Sequence, residues 1–129
     1  MQLKFIILSK LTFYSLLQIK TSPEMNSNEE SRQAILQTLS CIPEGKVCTY
    51  GNIASLAGQT GKARYVGFIL KGLPNNAALP WHRVINAKGK SAFPDHSQKQ
   101  QIQFTKLNEE GIEIVNNSIS LKKYLWTGN

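Results

Sequence analysis

The stretch from Lys46 to Leu73, "KVCTYGNIASLAGQTGKARYVGFILKGL", limits the fold more than any other, because its glycines leave room only for short elements. "KVCT" is β-prone and reads as a short strand. Thr49 then offers a hydroxyl to cap a helix over "YGNIASLA", which stops at Gly58. Beyond the turn "GQTG", "KARYVGFILKGL" places Val66, Ile69 and Leu70 on one helical face. Two short helices about a glycine-containing turn, the second basic at its N-terminal end, form the pattern of a helix-turn-helix. Many helical hairpins share that pattern, so by itself it does not establish DNA binding.

At 129 residues the chain amounts to one domain and a tail. Ser27 and Glu30 form an S-x-x-E capping box ahead of Ala34, Ile35, Leu36 and Leu39 at helical spacing. Pro43 disfavours helical geometry at Ile42, so this helix is predicted to end near Cys41. Asp95 is the expected cap of a further helix through "QKQQIQFTKLNEE", closed by Gly111. "IEIV" reads as a strand, and "ISLKKYLW" as an amphipathic tail whose Leu121, Leu125 and Trp126 dock on the domain. The domain is expected to occupy residues 25–129. Residues 1–24 are apolar and unlike the rest of the chain, but Lys10 interrupts them and they end in no small-x-small cleavage site. They fall short of the roughly 20 uninterrupted apolar residues of a spanning helix. They are read as an extension outside the fold, with Met25 a second candidate start and a membrane anchor the competing reading.

Fifteen Lys and Arg against eight Asp and Glu give a net charge of +7. Between Gly45 and Lys90 there are seven basic residues (Lys46, Lys62, Arg64, Lys71, Arg83, Lys88, Lys90) and no acidic one. Two readings stand: a phosphate-facing surface or a plain solvated basic face. The two cysteines, Cys41 and Cys48, come with no CxxC or histidine cluster, so neither a disulfide framework nor a metal site is indicated, and a reducing cytoplasm fits.

"LPWHRVI", residues 79–85, has the flanks of a reactive residue around a tryptophan. Taken with "IPEGKVCTYGNIASLAG" and "ARYVG", in this order and spacing, it resembles the DNA-binding domain of the methylated-DNA–protein-cysteine methyltransferases. The resemblance spans roughly residues 30–126. In that family the last segment reads PCHRV, and its cysteine takes the alkyl group from O6-alkylguanine. Trp81 standing at the cysteine's position resembles the alkyltransferase-like members, which bind the lesion without removing it.

The resemblance implies a mainly α, winged-helix-like helix-turn-helix domain with short β elements and no catalytic residue. Tyr50 would press on the phosphate 3′ to the target nucleotide, and Arg64 would fill the vacated stack. Ala63, Tyr65, Val66 and Gly67 would belong to a recognition helix in the minor groove; apart from the resemblance, Lys62, Lys71, Lys88 and Lys90 read as phosphate contacts or as plain surface charge. Trp81, His82, Arg83, Val84 and Glu110, together with Tyr50, would surround the lesion, His82 and Glu110 being the remnant of a cysteine-activating relay in which Glu109 competes for the glutamate's place. The implied partners are duplex DNA bearing alkylated guanine and, through the family, nucleotide excision repair proteins. No cofactor is implied, and a monomer is expected. Two departures stand out: Leu73-Pro74 replaces the family's Asn-Pro, removing the asparagine that braces the relay, and "GKSAFPDHS" replaces the loop that covers the alkyl group.

An indole offers only an N–H donor, so Trp81 cannot take an alkyl group, whereas its face can stack on a flipped base. Cys41 is expected to be buried and Cys48 to lie on the DNA-facing side without a relay of its own. A sequence-specific regulator and a residual transferase working through Cys48 are the rival functions.

Overall fold

A cap made by Asn26 opens helix α1 (Ser27–Ser40) in the computed structural model, which describes residues 26–74 and 76–129. The cap is one residue earlier than the S-x-x-E pattern predicts. Asn26 takes the extended cap conformation, and its side chain accepts the Glu29 N–H at 2.8 Å, so Ser27 becomes the first helical residue. The helix stops at Cys41, two residues before Pro43, as predicted. Ile35 and Leu39 bury its inner face.

The strand expected in "KVCT" is β1 (Cys48–Thr49), and its partner comes from far along the chain. It pairs in parallel with β2 (Val84–Ile85), Cys48 opposite Val84 and Thr49 opposite Ile85. This short ladder fixes the start of the helix-turn-helix beside the tryptophan segment. Thr49 caps helix α2 (Tyr50–Leu56) by accepting the Asn52 N–H at 3.1 Å. Gly58 and Gly61, at φ +74° and +86°, let the chain turn into α3 (Ala63–Lys71), which packs across α2 through buried Val66, Ile69 and Leu70.

Trp81–Arg83 form one turn of 3₁₀ helix leading into β2. Helix α4 (Gln98–Glu109) is capped by Ser97 rather than Asp95. The Ser97 hydroxyl accepts the Gln100 N–H at 3.2 Å, while Asp95 accepts from the Gln100 side chain at 3.1 Å. Gly111, at φ +85°, ends the helix region as predicted. The strand expected in "IEIV" is β3 (Ile114–Val115), which forms an antiparallel hairpin with β4 (Ser118–Ile119) over Asn116 and Asn117, both at positive φ. The tail begins with α5 (Leu121–Tyr124) and then docks. The Val47 N–H donates to the Tyr124 carbonyl at 3.0 Å, and the Trp126 N–H donates to the Val47 carbonyl at 2.7 Å.

Two apolar clusters result. The larger joins Ile35, Leu39, Ile53, Val66, Trp81, Val84 and Trp126; the smaller joins Val47, Ile85, Leu107, Ile112 and Ile119. The domain is mainly α with short β elements, as expected. Among the described residues no helix is long and apolar enough to cross a membrane. The proposed extension, residues 1–24, lies outside the described residues.

Candidate nucleic-acid interface

Trp81 follows Pro80 into the 3₁₀ turn and is only 3% exposed. Phe93 meets its ring edge-on, with centroids 5.9 Å apart at 84°. The Lys99 ammonium lies 4.8 Å from the indole centroid and 5.4 Å from that of Phe93. The loop that departs from the family pattern therefore supplies a cover for the tryptophan. Neither Phe93 nor Lys99 was visible as a site residue, although a lone phenylalanine in a polar loop was a usable signal.

His82 stands edge-on to Trp81 and its Nε2 lies 2.7 Å from Glu110 Oε2. Arg83 donates from Nε to both Glu110 oxygens at 3.0 and 3.1 Å, from Nη2 to Oε2 at 2.7 Å, and from Nη1 to the Ile42 carbonyl at 2.7 Å. The Gly45 N–H donates to Glu110 Oε1 at 3.0 Å. Between Glu109 and Glu110 the structure chooses Glu110, because Glu109 faces solvent. Burial alone would raise the Glu110 carboxyl, but hydrogen bonds from Arg83, His82 and Gly45 outweigh it and hold the group at about 2. Burial lowers His82 below its ordinary value despite the opposing pull of Glu110. Near neutrality the pair is thus carboxylate and neutral imidazole, with the ring N–H donated to Glu110.

A fully buried amide braces the main chain on either side of Arg83. Gln103 Nε2 donates to the carbonyls of His82 and Val84 at 3.1 and 2.9 Å, and its oxygen accepts from Ser91 Oγ at 2.7 Å. Val84 itself is buried in the core, and its main chain is engaged within the fold, the N–H by the Trp81 carbonyl and the carbonyl by Gln103.

The cysteines correct two expectations. Cys48 is fully buried rather than DNA-facing, because its side chain packs into the larger apolar cluster, and burial pushes its thiol up to about 12. Cys41, expected to be buried, is half-exposed at the end of α1.

Tyr50 begins α2 half-buried, and burial raises its phenol. It packs against α3 at Gly67, where an added Cβ would lie 3.9 Å from the ring. On α3, Arg64, Phe68 and Lys71 are exposed, as is Lys62 just before the helix, while Ala63, Tyr65 and Gly67 are half-buried. The Tyr65 hydroxyl donates to the Asn28 carbonyl at 3.3 Å. The fold thus gathers Trp81, His82, Arg83 and Glu110 into one cluster and sets Tyr50 against the second helix of the pair. Lys88 and Lys90 lie exposed on the loop after β2, away from α3 in the chain.

Residues 30–112 match the family of the 6-O-methylguanine DNA methyltransferase DNA-binding domain. The chain belongs to this family, on its alkyltransferase-like branch. It is 49% identical over 86 residues to the DNA base-flipping protein of Vibrio parahaemolyticus, covering 66% of this chain and 84% of that one. It is 43% identical over 90 residues to alkyltransferase-like protein 1 of Schizosaccharomyces pombe, covering 66% and 83%. The structure resembles that of S. pombe Atl1 in complex with damaged DNA containing O6-carboxymethylguanine, with a TM-score of 0.70, 37% identity, and coverage of 79% of this chain and 98% of the other.

Proposed function

We propose that the chain is a non-enzymatic sensor of alkylated DNA, which grips duplex DNA through the outer face of α3 and receives an extruded O6-alkylguanine beside Trp81. The observation that carries the reading is a relay without a nucleophile. His82 and Glu110 are 2.7 Å apart next to a residue that has no thiol. Trp81 occupies the place where the family resemblance expects the reactive cysteine. Glu110, moreover, is held by Arg83 and Gly45 as part of the fold, which accounts for keeping it when no proton needs to be moved. Neither cysteine replaces the lost nucleophile: the Cys48 thiol is buried and hard to ionise, and Cys41 ends a different helix.

Binding alone suffices for selectivity. Extruding a base costs a few kcal/mol, and less where pairing is already weakened, as it is for an O6-alkylated guanine. Stacking on an aromatic face returns about 1–3 kcal/mol. Because Trp81 lies beneath Phe93 and Lys99, a base reaches it only when that cover shifts. Tyr50 and Arg64 assist extrusion and Lys62 and Lys71 hold phosphates. The protein acts as a monomer in the cytoplasm and hands the marked lesion to nucleotide excision repair.

The deciding experiment is an anisotropy titration of matched duplexes, one with O6-methylguanine and one with guanine, with intact-protein mass read afterwards. Tighter binding to the lesion with unchanged mass is expected. A gain of one methyl group would reinstate a transferase, and equal affinity for the two duplexes would remove damage recognition. The handover is tested separately, by whether the chain speeds incision of the alkylated duplex in a reconstituted excision system.

A further inference from the structure

Phe68 keeps 73% of its surface in solvent on a helix whose Val66, Ile69 and Leu70 are buried. It lies four residues after Arg64 and three before Lys71, so the three exposed side chains share one helical face. The ring is not loose. It stacks on Tyr65 with centroids 6.4 Å apart at 13°, and Tyr65 is tied by its hydroxyl to the Asn28 carbonyl of α1 at 3.3 Å. An apolar surface is thereby held ready between two cations, within a segment from Gly45 to Lys90 that carries no acidic residue.

Charge complementarity selects the occupant. Cations on either side of the ring suit a nucleic-acid strand, whose phosphates attract Lys71 and whose sugars, between the phosphates, present apolar C–H edges. Proteins that work in the minor groove commonly add apolar side chains to their basic ones. We propose that Phe68, backed by Tyr65, is an uncharged contact to the deoxyribose wall of the minor groove, giving salt-independent affinity shared by normal and alkylated duplexes. The proposal rests on the DNA-binding function and adds to it a contact made neither by charge nor by the lesion pocket.

The test titrates the full chain, as wild type, F68A and F68L, against the guanine and O6-methylguanine duplexes over a range of KCl concentrations. F68A is expected to weaken both duplexes by about tenfold, with a plot of log Kd against log salt parallel to that of the wild type. F68L recovers most of the loss, and the melting temperature stays unchanged because the ring is exposed. An F68A affinity within about twofold of wild type on both duplexes overturns the proposal, while a wild-type preference for the lesion leaves the sensor reading intact. A shallower salt slope would mean that Phe68 acts only by placing Arg64 or Lys71, and a loss confined to the alkylated duplex would move it into the lesion pocket; either overturns the proposal. So does a wild type that dimerises in sedimentation, with F68A monomeric and unchanged on DNA. A wild type that binds neither duplex defeats both readings.

Discussion

The cluster around Glu110 and the outer face of α3 are built on opposite plans. In the first, a carboxylate, an arginine, an imidazole and a main-chain N–H are locked together within 3.1 Å, under cover and at the junction of three distant segments. In the second, Arg64, Phe68 and Lys71 reach into solvent from one short helix. The difference separates two tasks. An exposed cationic face can hold any duplex and does so in a salt-dependent way. On the proposed function, the interior cluster keeps its geometry before a base arrives, and the cover of Phe93 and Lys99 is what has to shift to admit one.

Variants can break this division. The largest effect is expected from W81A. Removing a buried indole should cost about 3–5 kcal/mol of stability by urea unfolding. In the fraction that remains folded, the preference for alkylated over normal duplex should vanish, while affinity for the normal duplex persists. If preference survives, discrimination lies on the surface after all.

Acid should act on the interior alone. Glu110 is depressed from 4.5 to about 2 in the fold, so its contribution is present above the unfolded value and is lost as pH falls toward the folded one. His82 is lowered from 6.5, so the unfolded chain takes up its proton first and stability already begins to fall below about 6.5. Both groups act with the same sign. Urea midpoints are expected to decline in two stages, the first ending in H82Q and the second in E110Q, which itself lowers stability by about 3 kcal/mol at neutral pH. The smallest effect belongs to the surface. K71A should leave the unfolding midpoint unchanged, weaken both duplexes alike, and reduce the salt slope by about 0.9.

How much of this was legible depended on how local each cause was. The Thr49 cap, the burial of Val66, Ile69 and Leu70, and the stop at Gly111 depend on neighbours in sequence and came out as read. Where two capping residues stood close together, the pattern picked the wrong one: Asn26 and Ser97 hold the positions assigned to Ser27 and Asp95, because backbone conformation decides between them. Long-range causes were hidden. Cys48 packs into a core drawn from distant segments and pairs with a strand 36 positions along, and no local signal announces either. Within the site, Trp81 and the His82–Glu110 pair were recognisable from motif spacing, whereas Phe93, Lys99 and Gln103 join only through contacts that folding creates.

The docking of the tail on Val47 bears on the order in which the protein can be made. Val47 lies directly before β1 and α2, and both of its main-chain groups bond to residues 124 and 126. Trp126 then fills the same core as the inner face of α3. During synthesis α2 and α3 emerge early, yet the seam that anchors them closes only once residue 126 has left the ribosome. A chain cut short before that point would carry α2, α3 and the Trp81 segment and lack the stitch that holds them in register.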